Sequence, residues 1–557
     1  MIVRTAKAGV MEVPSWKAGP GETLVQVSLC LPLGPSEMNG YIHHGRDWRK
    51  VLRYSLVDGP RETVRKITSR LLEEKIRESR ELVIAVGVRP SRPSVLVLAL
   101  GTRHPRWAEL APFHEKLLFD LPANALPEQA IGAFLKLVSS GMGTTPDEKV
   151  VRCWASPLLG FDSASGRPPI VPKGLSSEAL SRLLEDDGQC ALPEWAAKSL
   201  QRRPTPVVPI AARRTGAVTK GGVVLVGAGN YSRTQTAYHL SRSGARISWV
   251  VDRDPVCAAL VAAELGAPRA GTDMSEAIAD DGVELAVVAS FHDTHAPLAC
   301  AALDAGLRVF IEKPPAIDER QLATLLISCA TNPGRWRIGY NRRYAKMIRV
   351  MHRALEVQRG PTTVTCVVRE ATIPRGHWYY WPTQGTRILG NLCHWLDIGF
   401  LLCGRGAPSA MYVSAPEIRG RRDEEVAIHV SFQNGSTCTI VGTGRGDGAL
   451  GVQERIEARR ESRTFVIEDF RRATLYEGGR VLGRWGGFRD QGHGDMFRSC
   501  ASWLKGETSQ EPLTYDLTDL WVPNRLAIDA AGMALRQQLC QVYPSSEWEI
   551  PPWTERS

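Results

Sequence analysis

The sequence of 557 residues lacks any long apolar stretch. No run approaches the roughly 20 apolar residues that a membrane-spanning helix needs. The segment from Met1 to Trp16 contains no apolar core of the type found in secretory signals. We therefore expect a cytoplasmic chain with no membrane partner.

The twelve cysteines lack a pattern, because no Cys-x-x-Cys spacing occurs between Cys30 and Cys540. This scatter argues against a zinc ribbon, a redox pair and a disulfide framework, and it favours a reducing compartment. Internal repeats are missing as well. The content of 43% hydrophobic and 23% charged residues is that of an ordinary globular protein.

No basic cluster or recognition motif accompanies the net charge of +10. We therefore expect no nucleic acid as a partner, since nucleic-acid binding needs basic residues gathered on one surface. An anionic cofactor, and an anionic substrate, fit the charge as well.

The first 220 residues divide into two zones. In residues 1–142, Thr23–Leu29 alternates like a strand and Ser94–Gly101 is a short apolar run, while Arg61–Arg80 has helix-spaced apolar positions. Residues 143–220 are rich in proline and contain one helical stretch, Ser176–Leu184. We interpret this second zone as an irregular connector.

From residue 221 onward, strands and helices alternate. Four short apolar runs are typical of strands buried in a parallel sheet: Val223–Val226, Ile247–Val251, Leu285–Ala289 and Val309–Ile311. Residues 221–342 therefore predict a doubly wound Rossmann domain. Residues 343–557 predict an α+β domain with an open, largely antiparallel sheet, whose strands are Thr363–Arg369, Val426–Phe432, Thr437–Val441, Arg455–Ala458 and Phe465–Ile467, with helices near Gly492–Leu504 and Asp516–Leu539.

A glycine-rich turn follows the first of these strands. Gly227 permits a tight turn, Gly229 lets the backbone approach a pyrophosphate, and Ser232 is small enough for close helix–strand packing. About 25 residues on, Asp252 ends the next strand, where a carboxylate binds the adenosine ribose of NAD. Arg253 beside it could accommodate the 2′-phosphate of NADP, so both cofactors stay open, with NAD favoured.

Candidate functional residues occur in two further segments of the sequence. Lys313 lies at the carboxyl end of a buried strand, where ligands bind in such sheets, although a solvated Lys-Pro turn would look the same. In the apolar segment 385–402, Arg387, Asn391, His394 and Asp397 fall on one side of a helix. They predict either a core His–Asp pair or a site in which Asp397 orients His394 and the other two bind substrate.

Aromatic residues cluster upstream, from His377 to Trp381. They would form either a stacking wall for a sugar ring or part of the core.

These features together resemble the glucose–fructose oxidoreductase, inositol dehydrogenase and MocA (Gfo/Idh/MocA) family over about residues 221–540. The resemblance is carried by the glycine turn at 227–232, by His295-Ala-Pro-Leu, by Glu312-Lys313-Pro314 and by His394-x-x-Asp397. The whole chain looks closest to bi-domain members, in which a medium-chain alcohol dehydrogenase-like part precedes this module. Pro20–Ser28 resembles the first strand of that GroES-like part.

The resemblance implies that Lys313 and His394 face the nicotinamide, with Asp397 as the third catalytic residue. It implies cofactor contacts from Gly227, Gly229, Asn230, Tyr231, Ser232, Asp252, Arg253, Ser290, His292, His295 and Glu312. Substrate contacts would come from Arg343, Trp378, Arg387, Asn391 and His493. Substrates of the family are sugars, cyclitols or sugar nucleotides, and we also expect a homo-oligomer.

Three departures from the pattern matter. The segment Leu31–Ser36 lacks the usual zinc-ligand motif, so we expect no metal. Residues 143–220 have no second glycine turn, which makes the front part look like a remnant without its own cofactor. Gly390 stands where many relatives carry an aspartate, four residues before the histidine.

We therefore expect a nicotinamide-dependent oxidoreductase that transfers hydride to or from a polar, sugar-like alcohol, ketone or imine. Two alternatives stay open at this point. One is an enzyme that keeps its NAD bound and uses it transiently for elimination or epimerisation. The other is a cofactor-binding protein without catalytic activity.

Overall fold

A computed structural model describes residues 2–5, 9–12, 22–35, 57–59, 65, 81–104, 107–108, 110–114, 117–122, 125–142, 175–187, 192–202, 221–370, 373, 378–381, 383–418, 421–447, 450–507 and 515–548. The chain forms two compact units. One comprises residues 1–41, 68–217 and 248–277, and the other comprises residues 42–67, 218–247 and 278–557.

The front part of the chain is rich in β-strands. Three strands, β2-β1-β6, form a small sheet, and β7-β3-β4-β5-β8 form a larger antiparallel sheet, with β9 on β3. The strands are β1 (Ile2–Thr5), β2 (Gly9–Glu12), β3 (Glu22–Pro35), β4 (Glu81–Arg89), β5 (Arg92–His104), β6 (Trp107–Ala108), β7 (Leu110–His114), β8 (Leu118–Asp120) and β9 (Gln201–Arg202), and the helices are α1 (Pro127–Met142), α2 (Ser177–Asp187) and α3 (Glu194–Ser199).

One apolar core joins this larger sheet to its helices. Val86 and Leu98 of the sheet are buried together with Phe134 of α1, Leu180 of α2 and Ala196 of α3. The two predicted strands are confirmed, but the expectation of a loose connector is wrong for residues 175–187 and 192–200, because apolar side chains of both stretches belong to this core. The helix predicted over residues 61–80 lies outside the described residues, apart from Arg65.

A six-stranded sheet in the order β12-β11-β10-β13-β14-β15 follows, and its registered strand pairs are parallel. Every residue of β10 is buried, which explains its unbroken run of apolar side chains. The predicted Rossmann fold is confirmed. Its strands are β10 (Gly222–Val226), β11 (Arg246–Val251), β12 (Arg269–Gly271), β13 (Val283–Val288), β14 (Arg308–Ile311) and β15 (Trp336–Ile338), and its helices are α4 (Tyr238–Arg242, after a π-helical turn at Ser232–Ala237), α5 (Pro255–Leu265), α6 (Met274–Ile278), α7 (His292–Asp304) and α8 (Glu319–Thr331).

The last part of the chain contains a nine-stranded sheet in the order β23-β22-β21-β20-β16-β19-β18-β17-β24. All of its pairs are antiparallel except the parallel pair β16–β19. Its strands are β16 (Thr363–Arg369), β17 (Pro408–Ser414), β18 (Glu425–Phe432), β19 (Thr437–Thr443), β20 (Gln453–Arg460), β21 (Arg463–Glu468), β22 (Arg472–Glu477), β23 (Arg480–Gly486) and β24 (Cys540–Val542).

Helices cover one face of this sheet. In β18 the side chains alternate between buried and half-buried, which shows that only one face of the strand is covered. The helices are α9 (Lys346–Glu356), α10 (Cys393–Leu402, after a π-helical turn at Ile388–Leu392), α11 (His493–Leu504) and α12 (Leu517–Arg536), with 3-10 turns at Asn341–Tyr344, Trp378–Tyr380 and Ser545–Trp548. Every residue of α10 is buried. In the described residues, no helix is long and apolar enough to cross a membrane.

Candidate active site

The glycine-rich turn joins β10 to the following helix. Gly227 has a φ of +95°, and a Cβ at this position would lie 2.5 Å from the carbonyl oxygen of Ala289. The space around Gly229 is different, since a Cβ there would meet no protein atom within 4 Å. The buried Ser232 hydroxyl donates to the Gly227 carbonyl oxygen and fixes the turn. The turn thus leaves open space above Gly229 of the kind that a pyrophosphate needs.

The residues after β11 are exposed to different degrees. Asp252 is half-buried, and its Oδ1 accepts a hydrogen bond from the Asp254 backbone nitrogen at 2.9 Å, while Arg253 is exposed. Asp254 caps helix α5. This arrangement does not distinguish NAD from NADP, and the ribose contact of Asp252 stays a prediction.

Glu312 and Lys313 lie at the carboxyl end of β14. The Lys313 ammonium donates a hydrogen bond to the Gly390 carbonyl oxygen at 2.7 Å. Glu312 is buried, and its Oε2 accepts from the Lys313 backbone nitrogen at 3.3 Å. Burial raises the pKa of Glu312 to about 7, although Lys313 and the Tyr231 phenol act in the opposite direction. Its second oxygen, Oε1, has no hydrogen-bond partner within the described part of the chain.

His394 lies at the start of α10, directly after the π-helical turn, a feature that is frequent at functional sites. Its side chain is 6% exposed, and its Nδ1 has no partner among the residues that the structure describes. Burial lowers the pKa of His394 well below its ordinary value, and the positive charges of Arg342 and Lys313 lower it further. The imidazole is therefore neutral at pH 7 and able to accept a proton.

The predicted pairing of Asp397 with His394 is wrong. Asp397 receives two hydrogen bonds from Arg343, one of them from Nε at 2.8 Å, and Arg343 also binds Asp519 at 2.9 Å. Arg343 is 1% exposed and is bound by two protein carboxylates, so its predicted contact with a substrate has no support in this geometry. A charged guanidinium attracts a buried carboxylate more strongly than a neutral imidazole does, which explains why Asp397 turns away from His394.

Arg387 and Asn391 share a carboxylate that the sequence reasoning missed. Glu370, directly after β16, accepts hydrogen bonds from the Asn391 amide and from Arg387 Nε, the latter at 3.4 Å. The Arg387 backbone nitrogen also donates to Asp423. Arg387 is 3% exposed, so both side chains are held within the protein, and their predicted substrate contacts stay untested. The signal that could have revealed Glu370 is its place at the end of a predicted strand.

The residues at the start of α7 hold backbone loops together. The ring nitrogens of His295 lie 2.8 Å from the Pro314 carbonyl oxygen and 3.2 Å from that of Ser290. His295 is 1% exposed, and burial lowers its pKa to about 4. We infer that His295 connects the segments that follow β13 and β14. Its predicted direct contact with a cofactor has no support in this geometry.

His292 contacts the aromatic cluster. Its Nδ1 lies 3.1 Å from the Gln384 carbonyl oxygen, and its ring centroid lies 4.6 Å from that of Trp378 and 5.1 Å from that of Tyr379. Trp378 and Tyr379 are half-buried. The cluster is thus a wall that is packed on one side and accessible on the other. His377 lies outside the described residues.

A second histidine cluster borders the glycine turn. His493 stacks on His239 at 6.3 Å and meets the Tyr231 ring edge-on at 6.1 Å. Tyr231 is 36% exposed and Asn230 is exposed. Burial lowers the pKa of His493, and His493 in turn contributes to lowering the pKa of His394.

A segment from the front of the chain packs next to this cluster, which the sequence did not indicate. The Arg65 guanidinium lies over the Tyr238 ring, 5.0 Å from its centroid. The Val57 carbonyl oxygen accepts a hydrogen bond from the Arg489 backbone nitrogen at 3.0 Å. Val57 and Arg65 therefore contact residues next to this histidine cluster.

The structure combines an open glycine turn on a parallel sheet with a lysine and a neutral histidine. This combination is typical of a nicotinamide-dependent oxidoreductase. No group of three or more metal-ligating side chains occurs in the described ranges. Residues 222–340 match the sequence model of the Gfo/Idh/MocA oxidoreductase family, NAD-binding Rossmann fold. This match covers the Rossmann domain, so that part of the chain is similar to the NAD-binding domain of the family.

Two dehydrogenases match parts of the chain at low identity. The chain is 24% identical over 240 residues to 4-carboxy-2-hydroxymuconate-6-semialdehyde dehydrogenase of Sphingobium sp., which is 41% of this chain and 74% of the relative. It is 23% identical over 256 residues to inositol 2-dehydrogenase of Rhizobium meliloti, which is 45% of this chain and 76% of the relative.

Solved structures share the fold. GenD2 from gentamicin A biosynthesis, solved with NAD, matches with a TM-score of 0.50 at 21% identity, over 61% of this chain and 100% of its own. Levoglucosan dehydrogenase, solved with NADH and L-sorbose, matches with a TM-score of 0.50 at 15% identity, over 58% and 99% of the two chains. The likeness of the front part to an alcohol dehydrogenase stays a prediction.

Proposed function

We propose that this protein oxidises a secondary alcohol of a polar, sugar-like or cyclitol substrate, or reduces the corresponding ketone, with NAD(P). The observation that carries the proposal is the buried, neutral imidazole of His394 beside Lys313, with Nδ1 left without a partner in the described part. The names of the inositol 2-dehydrogenase relatives support a cyclitol or sugar-like substrate.

The residues would divide the chemistry between them. When bound, the nicotinamide accepts or supplies the hydride. In the oxidation direction, His394 accepts the proton of the substrate hydroxyl, which balances the hydride that leaves the same carbon. Lys313 donates a hydrogen bond to the substrate oxygen and stabilises the charge that develops there.

The cofactor site would run from Gly229 to Lys313. Asn230 and Tyr231 lie at the start of the helix that follows the glycine turn, where backbone N–H groups bind phosphate. Asp252 favours NAD, because a carboxylate repels the 2′-phosphate of NADP. The cytoplasmic location and the homo-oligomeric state stay predictions.

Spectroscopy of the purified protein tests the proposal. We expect NADH to form, seen by its absorbance, when the wild type is mixed with NAD and a panel that contains myo-inositol, other cyclitols and sugars. A wild type that binds NADH but turns over none of these substrates, in either direction and with either cofactor, would contradict the proposed function.

The variant Gly229→Val tests the cofactor site separately. The protein itself leaves room for this side chain, so the variant should fold normally, whereas the side chain would occupy the space of the pyrophosphate. We expect NADH binding to weaken at least 100-fold, about 3 kcal/mol. Gly487→Val is the matched control, because a Cβ at Gly487 also meets nothing within 4 Å. Equal NADH binding by both variants would contradict the assignment.

A further inference from the structure

Gly390 lies at the point where the π-helical turn before α10 approaches Lys313. Its carbonyl oxygen accepts the hydrogen bond from the Lys313 ammonium at 2.7 Å. The backbone of this glycine is therefore in direct contact with the group that we assign to the substrate oxygen.

The space beside Gly390 is filled by two other side chains. A Cβ at this position would lie 2.9 Å from Cε1 of His292, 2.9 Å from Cε2 of Tyr379 and 3.2 Å from Cζ of Tyr379. Contacts below 3.0 Å require a neighbour to move, so no larger residue fits here unless one of the two rings shifts. The absence of a side chain at position 390 thus leaves room for the Tyr379 ring beside Gly390, whose carbonyl oxygen binds Lys313.

Neighbouring rings hold Tyr379 in place. Its ring packs edge-on against Trp378 at 4.4 Å and lies 5.1 Å from His292. His292 is 4% exposed, while Tyr379 is half-buried. The tyrosine is therefore a fixed ring at the border between the interior and the accessible side of the site.

We propose that the Tyr379 hydroxyl is a third hydrogen-bonding group for the substrate, next to Lys313 and His394, and that Gly390 is small so that this hydroxyl can reach the site. This inference rests on the proposed function. It adds a residue that positions the substrate oxygen or a neighbouring hydroxyl.

The electrostatics of the site suit a hydrogen-bond donor. Burial raises the pKa of the Tyr379 phenol, the carboxylate of Glu370 raises it further, and Arg387 acts in the opposite direction. The phenol therefore keeps its proton at neutral pH. It donates to a substrate oxygen and does not act as a base, which leaves proton transfer to His394.

The variant Tyr379→Phe tests the inference, because it keeps the ring and removes only the hydroxyl. With a substrate that the wild type turns over, we expect kcat/KM to fall about tenfold or more, while NADH affinity stays unchanged. Tyr476→Phe is the control. Tyr476 lies on β22 and is 41% exposed, so the loss of its hydroxyl should change kcat/KM less than twofold.

Gly390→Ala supplies a second, independent variant. Its methyl group should displace the Tyr379 ring and reduce kcat/KM by a similar factor, and Tyr379→Phe should then cause little further loss in the double variant. Additive losses, or a Tyr379→Phe enzyme as fast as the wild type, would overturn the inference.

A crystal structure of the wild type with NADH tests the inference even if no substrate of the panel is turned over. Such a lack of turnover would count only against the proposed function. The Tyr379 hydroxyl should face the open side of the nicotinamide, on the side of Lys313. A hydroxyl that points into the protein and bonds only to protein atoms would refute the proposed role.

Discussion

Two groups of buried polar side chains lie near one end of helix α10, and they differ in how completely they are paired. In the first, which we term the closed cluster, Arg343 binds both Asp397 and Asp519. In the second, the open cluster of Glu312, Lys313 and His394, two buried atoms have no partner among the described residues, namely Glu312 Oε1 and His394 Nδ1.

The difference separates a structural role from a functional one. A buried polar atom without a partner costs about 1–3 kcal/mol. In the closed cluster, Arg343 pairs with both carboxylates, so this cost does not arise. In the open cluster the cost remains, and this cluster lies at the edge of the sheet that carries the glycine turn. We propose that ligands complete the open cluster, whereas the protein itself completes the closed cluster.

The largest effect should come from the open cluster. We expect Lys313→Met to reduce kcat/KM by about 10²–10⁴-fold, because the substrate oxygen loses its charged hydrogen-bond donor. Steady-state kinetics with the best substrate of the panel would measure this loss. NADH binding and folding should change little. Full activity in Lys313→Met would remove the distinction between the two clusters.

The closed cluster should respond in stability. We expect Arg343→Met to lower the free energy of unfolding by about 3–5 kcal/mol, since it leaves two buried carboxylates without their cation. Denaturation in urea would measure the change. Arg498→Ala is the control. The Arg498 side chain forms an ion pair with Asp495 and is 70% exposed, so we expect the free energy of unfolding to change by less than about 0.5 kcal/mol. Similar values for both variants would contradict the structural role of Arg343.

The pH dependence of stability sharpens the comparison further. Burial raises the pKa of Glu312 to about 7, so the folded protein holds a proton there that the unfolded chain loses near pH 4.5. The contribution of Glu312 to stability is therefore fully present below pH 4.5 and is lost as the pH rises through 7. Gln cannot ionise. The free energy of unfolding of Glu312→Gln should therefore rise relative to that of the wild type, by up to about 3 kcal/mol, as the pH increases from 4.5 to 8.

Urea denaturation of both proteins at pH 5 and pH 8 measures this gain. Glu468→Gln serves as the control, because the Glu468 side chain is 54% exposed and should show the same difference from the wild type at both pH values. A difference between Glu312→Gln and the wild type that shrinks toward pH 8 would contradict the burial of this carboxyl group.

The smallest expected change in stability concerns His394. Since its Nδ1 has no protein partner in the described region, His394→Leu removes a cost of folding, and we expect a gain of about 1 kcal/mol in the free energy of unfolding together with a large loss of activity. Thermal unfolding and kinetics on the same preparation would show both changes. A strong loss of stability would mean that His394 belongs with the closed cluster.

Local signals in the sequence predicted much of the fold. The buried strands β10, β11, β13 and β14 are continuous apolar runs, and the glycine turn after β10 is readable without knowledge of any distant residue. Strand β23 was missed because all of its residues are exposed or half-buried, so no alternation of apolar and polar side chains marks it.

The positions of the two candidate catalytic residues were readable from the sequence, because Lys313 follows a predicted strand and His394 lies on an apolar helix. Their catalytic roles stay predictions. Helical spacing shows which side chains share a face but not which distant charge they meet, so the pairing of Asp397 with Arg343 was not readable. The contact of Arg65 with Tyr238 joins positions 173 residues apart, and no local pattern marks it.

A crystal structure of the protein with NADH would test the central claim most directly. We predict that the nicotinamide lies between Lys313 and His394, with C4 close enough that a substrate carbon about 3–3.5 Å away can hydrogen-bond through its oxygen to both side chains. A cofactor bound elsewhere, or a nicotinamide next to the Arg343 cluster with Lys313 and His394 out of reach, would contradict the account.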